Sequence, residues 1–128
     1  MKQFDNTNKP QGFNRLVLAS NNSFRAFNWL MKNEAAFRQE CILLLLGTTI
    51  LFFWDISLYE KTALFISLLL IILAEIINTA IEAVVDRISL DIHPLSGLAK
   101  DLGSAAVLIS LGIAAIIWTS VLVSYFSH

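Results

Sequence analysis

Polar and apolar positions alternate on a helical period along most of this chain, and long apolar runs dominate its last two thirds. From Phe13 the apolar residues Phe13, Leu16, Val17, Phe24, Phe27 and Met31 recur at helical spacing. Asn14, Arg15, Asn21, Asn22 and Arg25 fall between them. That pattern predicts an amphipathic helix over 13–32, lying along a membrane surface with Trp29 near the headgroups. Three apolar runs follow, which predict spans at about 35–54, 62–85 and 100–125, each near the roughly 20 residues that cross a hydrocarbon core. Two polar breaks separate them: DISLYEK (Asp55–Lys61), expected as a short turn, and Arg87–Leu98, expected as a loop broken by Pro94 and Gly97. The fold class expected is an all-α membrane protein with three transmembrane helices and an N-terminal surface helix. Residues 1–12 are expected as a flexible tail and 13–128 as one integral-membrane domain.

The second span departs from simple hydrophobicity. Its cytoplasmic half carries Glu75, Asn78, Glu82 and Asp86, which at about 100° per residue cluster within roughly 80° of arc on one helix face. Ionisable groups at membrane depth are costly unless they meet protein, water, a metal or a substrate. The stripe is therefore a candidate functional site; its plain alternative is a hydrogen-bond ladder that only joins helices. Glu75 lies about 10 Å deeper than Glu82 along the helix.

Charge sets the orientation. Residues 1–40 hold six basic and three acidic side chains, the break before the third span adds Arg87 and Lys100, and the first turn holds Lys61 alone. By the positive-inside rule the N-terminus and the second loop are cytoplasmic. Glu34, Arg38, Glu82, Asp86, His93, Lys100 and Asp101 then converge on one side of the bilayer. The formal charge of −1 gives no reason to expect nucleic acid, and the lone Cys41 excludes an intrachain disulfide. Residues 1–12 hold no apolar core before a cleavage-like site, so insertion is expected to rest on the internal spans.

This constellation suits phosphate chemistry in a lipid setting. Mg²⁺ commonly takes one or two carboxylates plus waters and phosphate oxygens, and Glu34 with Glu82 is the natural pair if the first helix packs beside the second span. Lys100 would offset phosphate charge, with Arg15 and Arg38 assisting. Glu75, between Ala74 and Ile76, is placed for a general base toward a lipid hydroxyl. No GxxxxGK or GxGxxG word is present. A proton or cation pathway uses the same stripe, and a pure assembly subunit leaves it unexplained. Three spans make too thin a bundle to bury so large a stripe within one chain, so a homo-oligomer with sites at subunit contacts is expected.

Three words, NEAAFRQE (Asn33–Glu40), AEIINTAIEAVVDR (Ala74–Arg87) and HPLSGLAKDLGSAAVL (His93–Leu108), resemble the prokaryotic integral-membrane diacylglycerol kinase family. Weaker similarity extends from Gly12 to about Phe126. The resemblance implies a homotrimer in the bacterial inner membrane, with composite sites that transfer the γ-phosphate of MgATP to the primary hydroxyl of diacylglycerol. It implies Glu75 as general base with Asn78 orienting the substrate, and Glu34 and Glu82 as ligands of Mg²⁺. Lys100, Asp101, Asp91, His93, Arg15, Asn22, Glu34 and Glu82 would line the nucleotide site. Arg38, Glu40, Glu75 and Ser104 would line the lipid site. A sister group that phosphorylates undecaprenol shares the same carboxylates. His93 has a second reading as a plain loop histidine beside Pro94, and Asp86–Arg87 reads as a helix-end charge pair.

Overall fold

The computed structural model describes residues 10–128, so most of the predicted N-terminal tail lies outside the described residues. The described residues form four helices and no strand: α1 (Phe13–Asn33), α2 (Ala35–Phe53), α3 (Leu58–Ile88) and α4 (Pro94–Phe126). Two compact units result, one ending at Ala35 and one running from Ala36 to His128.

In the first unit, α1 starts after Gly12, whose φ of 62° lies in the left-handed region that glycine enters without strain. The helix ends where Glu34 turns extended while its N–H still donates to the Leu30 carbonyl at 2.8 Å. Leu30 is its one buried residue; Phe13, Leu16, Phe24, Phe27 and Trp29 are exposed.

In the second unit, α2, α3 and α4 are each long and apolar enough to cross a membrane. α3 and α4 exceed the expected spans. At 31 and 33 residues they measure about 46 and 50 Å, against a hydrocarbon core of about 30 Å. Hydropathy marks where a helix leaves lipid; caps mark where it stops. The DISLYEK stretch is thus half helix, not a turn throughout. Ser57 caps α3, its hydroxyl accepting from the Glu60 N–H while the Glu60 carboxylate accepts from the Ser57 N–H at 2.8 Å. The expected loop over Arg87–Leu98 is likewise shorter, because α3 continues to Ile88 and Pro94 opens α4 instead of breaking a helix. Proline suits a first helical turn, where its missing N–H has no intrahelical partner to lose.

The core of this unit is small. Leu51, Leu64 and Val121 meet in one cluster beside Trp54, Ile56 and Ile117, and Leu68, Ile71 and Ala114 meet in a second. Trp118 touches both. Its indole N–H donates to the Ser67 hydroxyl at 3.2 Å, and that hydroxyl donates to the Leu64 carbonyl at 2.7 Å, so the buried polar pair is satisfied. Gly47 lets α2 approach this point, since a Cβ there would sit 2.5 Å from Leu68 Cδ1. The packing leaves the Glu75 side of α3 toward its helical neighbours and most outer apolar residues uncovered.

Candidate functional site

The polar stripe of α3 is where the second unit concentrates chemistry. Glu75 and Asn78 are 6% and 8% exposed, and Glu82 is half-buried. Helical periodicity alone aligns them, and burial of the two inner residues distinguishes them from a solvated face. The Asn78 amide donates to Glu82 Oε1 at 3.3 Å, one turn on. Asn78 therefore orients a carboxylate of the stripe, a link that helical spacing permits but does not specify. Its amide oxygen is buried without a hydrogen-bond partner and points at α4, where Gly103 leaves the space: a Cβ at that position would overlap the oxygen.

Glu40, on the first turns of α2, is an electrostatic neighbour of Glu75. One of its carboxylate oxygens, Oε2, is also buried without a hydrogen-bond partner. Two carboxyl groups thus face one region of the bundle, and the unfilled oxygen there is acceptor capacity of the kind a hydroxyl-bearing ligand uses.

Toward the predicted cytoplasmic end, the Lys100 ammonium meets Asp86 Oδ1 at 2.7 Å, and Glu82 is near enough for its charge to act on the same ammonium. Asp86 thus pairs across to α4, where the sequence suggested a local pair with Arg87. A cleft of about 390 Å³ opens beside this bridge, lined by Asp86, Asp91, His93, Ser96, Gly97 and Lys100 among others. Three predicted nucleotide residues, Asp91, His93 and Lys100, accordingly share one cavity. His93 also has a structural duty: its Nδ1 accepts from the Leu95 N–H at 3.1 Å and caps α4. Asp101 and Ser104 are exposed on the first turns of α4.

The remaining candidates lie elsewhere in sequence. Arg15 and Asn22 are exposed on α1, where the Arg25 guanidinium donates to Asn22 Oδ1 at 3.2 Å. Glu34 is half-buried at the end of the first unit, and Arg38 is exposed on α2. Among the described residues no group of three His, Cys, Asp or Glu side chains forms a cage for a metal. The donor set at Glu82 fits a cation that brings its own oxygen ligands, as Mg²⁺ does when it arrives on phosphates.

These features define a class: a helical membrane protein with a polar stripe that runs from a buried carboxylate to a lysine-bearing cleft at one end. Comparison with known proteins narrows it. Residues 21–122 match the prokaryotic diacylglycerol kinase family. The chain is 44% identical over 119 residues to the diacylglycerol kinase of Escherichia coli K12, covering 93% of this chain and 98% of that one. Identity to the diacylglycerol kinase of Pseudomonas aeruginosa is 39% over 111 residues, 87% and 90% of the two chains. For that of Helicobacter pylori strain 26695 it is 35% over 118 residues, 92% of each. The chain belongs to the prokaryotic diacylglycerol kinase family.

Proposed function

We propose that this chain is an ATP-dependent lipid kinase that phosphorylates the primary hydroxyl of diacylglycerol, giving phosphatidic acid and ADP. Family membership supports the reaction class. The observation that carries the site is the α3 stripe: a buried carboxylate, Glu75, leads along one helix face to Glu82 and then to the Lys100–Asp86 bridge.

In this reading Glu75 takes the proton as the lipid oxygen attacks the γ-phosphorus and the bond to the ADP oxygen breaks. Asn78 orients the substrate and holds Glu82. Glu82 and Glu34 supply carboxylates to the Mg²⁺ that enters with ATP. Lys100, Asp101, Asp91, His93, Arg15 and Asn22 hold the nucleotide, and Arg38, Glu40 and Ser104 flank the lipid headgroup. Phosphoryl transfer of this kind rests on in-line positioning and neutralised charge, so the protein needs oriented cations and one base more than any covalent step. The enzyme is a homotrimer of the bacterial inner membrane, its N-terminus and second loop cytoplasmic and α1 on the membrane surface.

The test is transfer of labelled phosphate from MgATP to diacylglycerol and, in parallel, to undecaprenol in mixed micelles. Wild type should label diacylglycerol, and Glu75→Gln should lose about 10²–10⁴-fold in turnover, as removal of a general base does, while still binding MgATP. Labelling of undecaprenol alone moves the chain to the sister activity, and labelling of neither removes the kinase reading.

A further inference from the structure

Asp86 does not belong to the proposed reacting groups, yet it forms an ion pair across the α3–α4 junction. Its Oδ1 stands 2.7 Å from Lys100 Nζ, with the two side chains 49% and 43% exposed. A pair so exposed contributes little to holding helices together, because solvent screens it and two long side chains lose freedom to make it. Its position is more informative than its strength. The bridge spans the last turn of α3 and the second turn of α4, on the wall of the cleft that also holds Asp91 and His93. Glu82, one turn before Asp86 on the same face, acts on the same ammonium.

We propose that Asp86 is a positioning residue that holds the Lys100 ammonium ready for the nucleotide phosphates. The inference rests on the reading of Lys100 as a phosphate contact. An unrestrained lysine has a flexible four-carbon stem and must be ordered when it binds phosphate. Fixing it beforehand cuts the loss of side-chain freedom on binding. An ammonium has three N–H donors. It can keep Asp86 on one and offer the other two to phosphate oxygens, so the bridge need not break when the nucleotide enters. Glu82 supplies the second reason for this placement. It draws the lysine toward the carboxylate proposed for the metal, which lets a single phosphate chain meet both cations.

The experiment measures equilibrium affinity for a fluorescent, non-hydrolysable ATP analogue with Mg²⁺, on micellar full-length protein. Variants are Asp86→Asn, Asp86→Glu, Lys100→Met and the double variant Asp86→Asn/Lys100→Met. Steady-state KM for MgATP and for diacylglycerol is measured alongside. Asp86→Asn should weaken nucleotide binding by about two- to tenfold, the range set by ordering one long side chain, and leave the diacylglycerol KM unchanged. Asp86→Glu should restore part of the affinity. In the Lys100→Met background the Asp86→Asn change should have no further effect, because the positioned group is gone.

Tighter nucleotide binding by Asp86→Asn would overturn the proposal, since Asp86 would then compete with phosphate for the lysine. Unchanged affinity, or effects that add in the double variant, would overturn it equally. A wild type that binds the nucleotide analogue but phosphorylates no lipid would remove the kinase reading while leaving the affinity comparison decisive for Asp86.

Discussion

Asn78 has two jobs that meet in one side chain. Its nitrogen holds Glu82, and its oxygen fills the space that Gly103 leaves on α4. A methyl group at 103 must push the amide away, and the neighbour that has to move is the group that orients a proposed metal carboxylate. Gly103→Ala should therefore destabilise the protein by about 1–3 kcal/mol, the usual cost of overpacking, and raise the Mg²⁺ concentration needed for half-maximal activity. Gly97→Ala is the control: nothing lies within 4 Å of a Cβ there, and alanine is the better helix former by up to about 1 kcal/mol. Thermal unfolding in detergent separates the two, and equal behaviour would refute the close contact. At Glu82 itself, Glu82→Gln keeps the shape and one acceptor but loses the charge. It should shift the Mg²⁺ titration to higher concentration, and an unmoved titration curve removes Glu82 as a metal ligand.

At the scale of the element, the helix ends matter more than the spans. The stripe was legible in the sequence because Glu75, Asn78, Glu82 and Asp86 obey a local period that no tertiary contact can alter. The ends of α3 and α4 are less legible, because a polar break between apolar runs reads the same whether or not the backbone there stays helical. The signal was present in Ser57 and Glu60, a capping box, and in Pro94 at a first turn with His93 before it. The Lys100–Asp86 bridge and the Trp118–Ser67 bond, whose partners stand 51 positions apart, depend on how α3 and α4 register against each other, and periodicity carries no record of that. His93 shows how an end can serve a site. Its ring caps α4 and borders the cleft, so an alanine there would confound the two roles. Asparagine is among the best N-caps. His93→Asn should hold the melting temperature within about 3 °C, a change of less than roughly 0.5 kcal/mol, while the KM for MgATP rises. A KM equal to wild type would leave His93 with the cap alone.

On the scale of the whole molecule, a unit of three long helices buries only a handful of side chains, while Ile42, Leu45, Phe52, Ile66, Leu108 and Ile116 stay exposed. Lipid can cover those residues. It cannot satisfy a buried carboxylate oxygen such as Glu40 Oε2, and ionisable groups at that depth belong against protein or a ligand. A homotrimer gives each stripe such a setting, and the mass of the detergent-solubilised particle after subtraction of bound detergent checks it, with a monomer as the outcome that rules it out. Which groups each chain contributes follows partly from connectivity. Glu75 and Glu82 stand two turns apart on one face of α3, so a single chain can supply both to one site, and that is the expected arrangement. Trimers assembled from equal amounts of Glu75→Gln and Glu82→Gln subunits should then show no more activity than the two variants measured separately, because every α3 carries one defect. If the two carboxylates instead came from different chains, random mixing would leave about a quarter of the sites with both intact, one half times one half. Recovery toward that quarter would therefore break the assignment of both residues to one stripe, whereas its absence alongside full nucleotide binding would keep α3 as the catalytic face of each subunit.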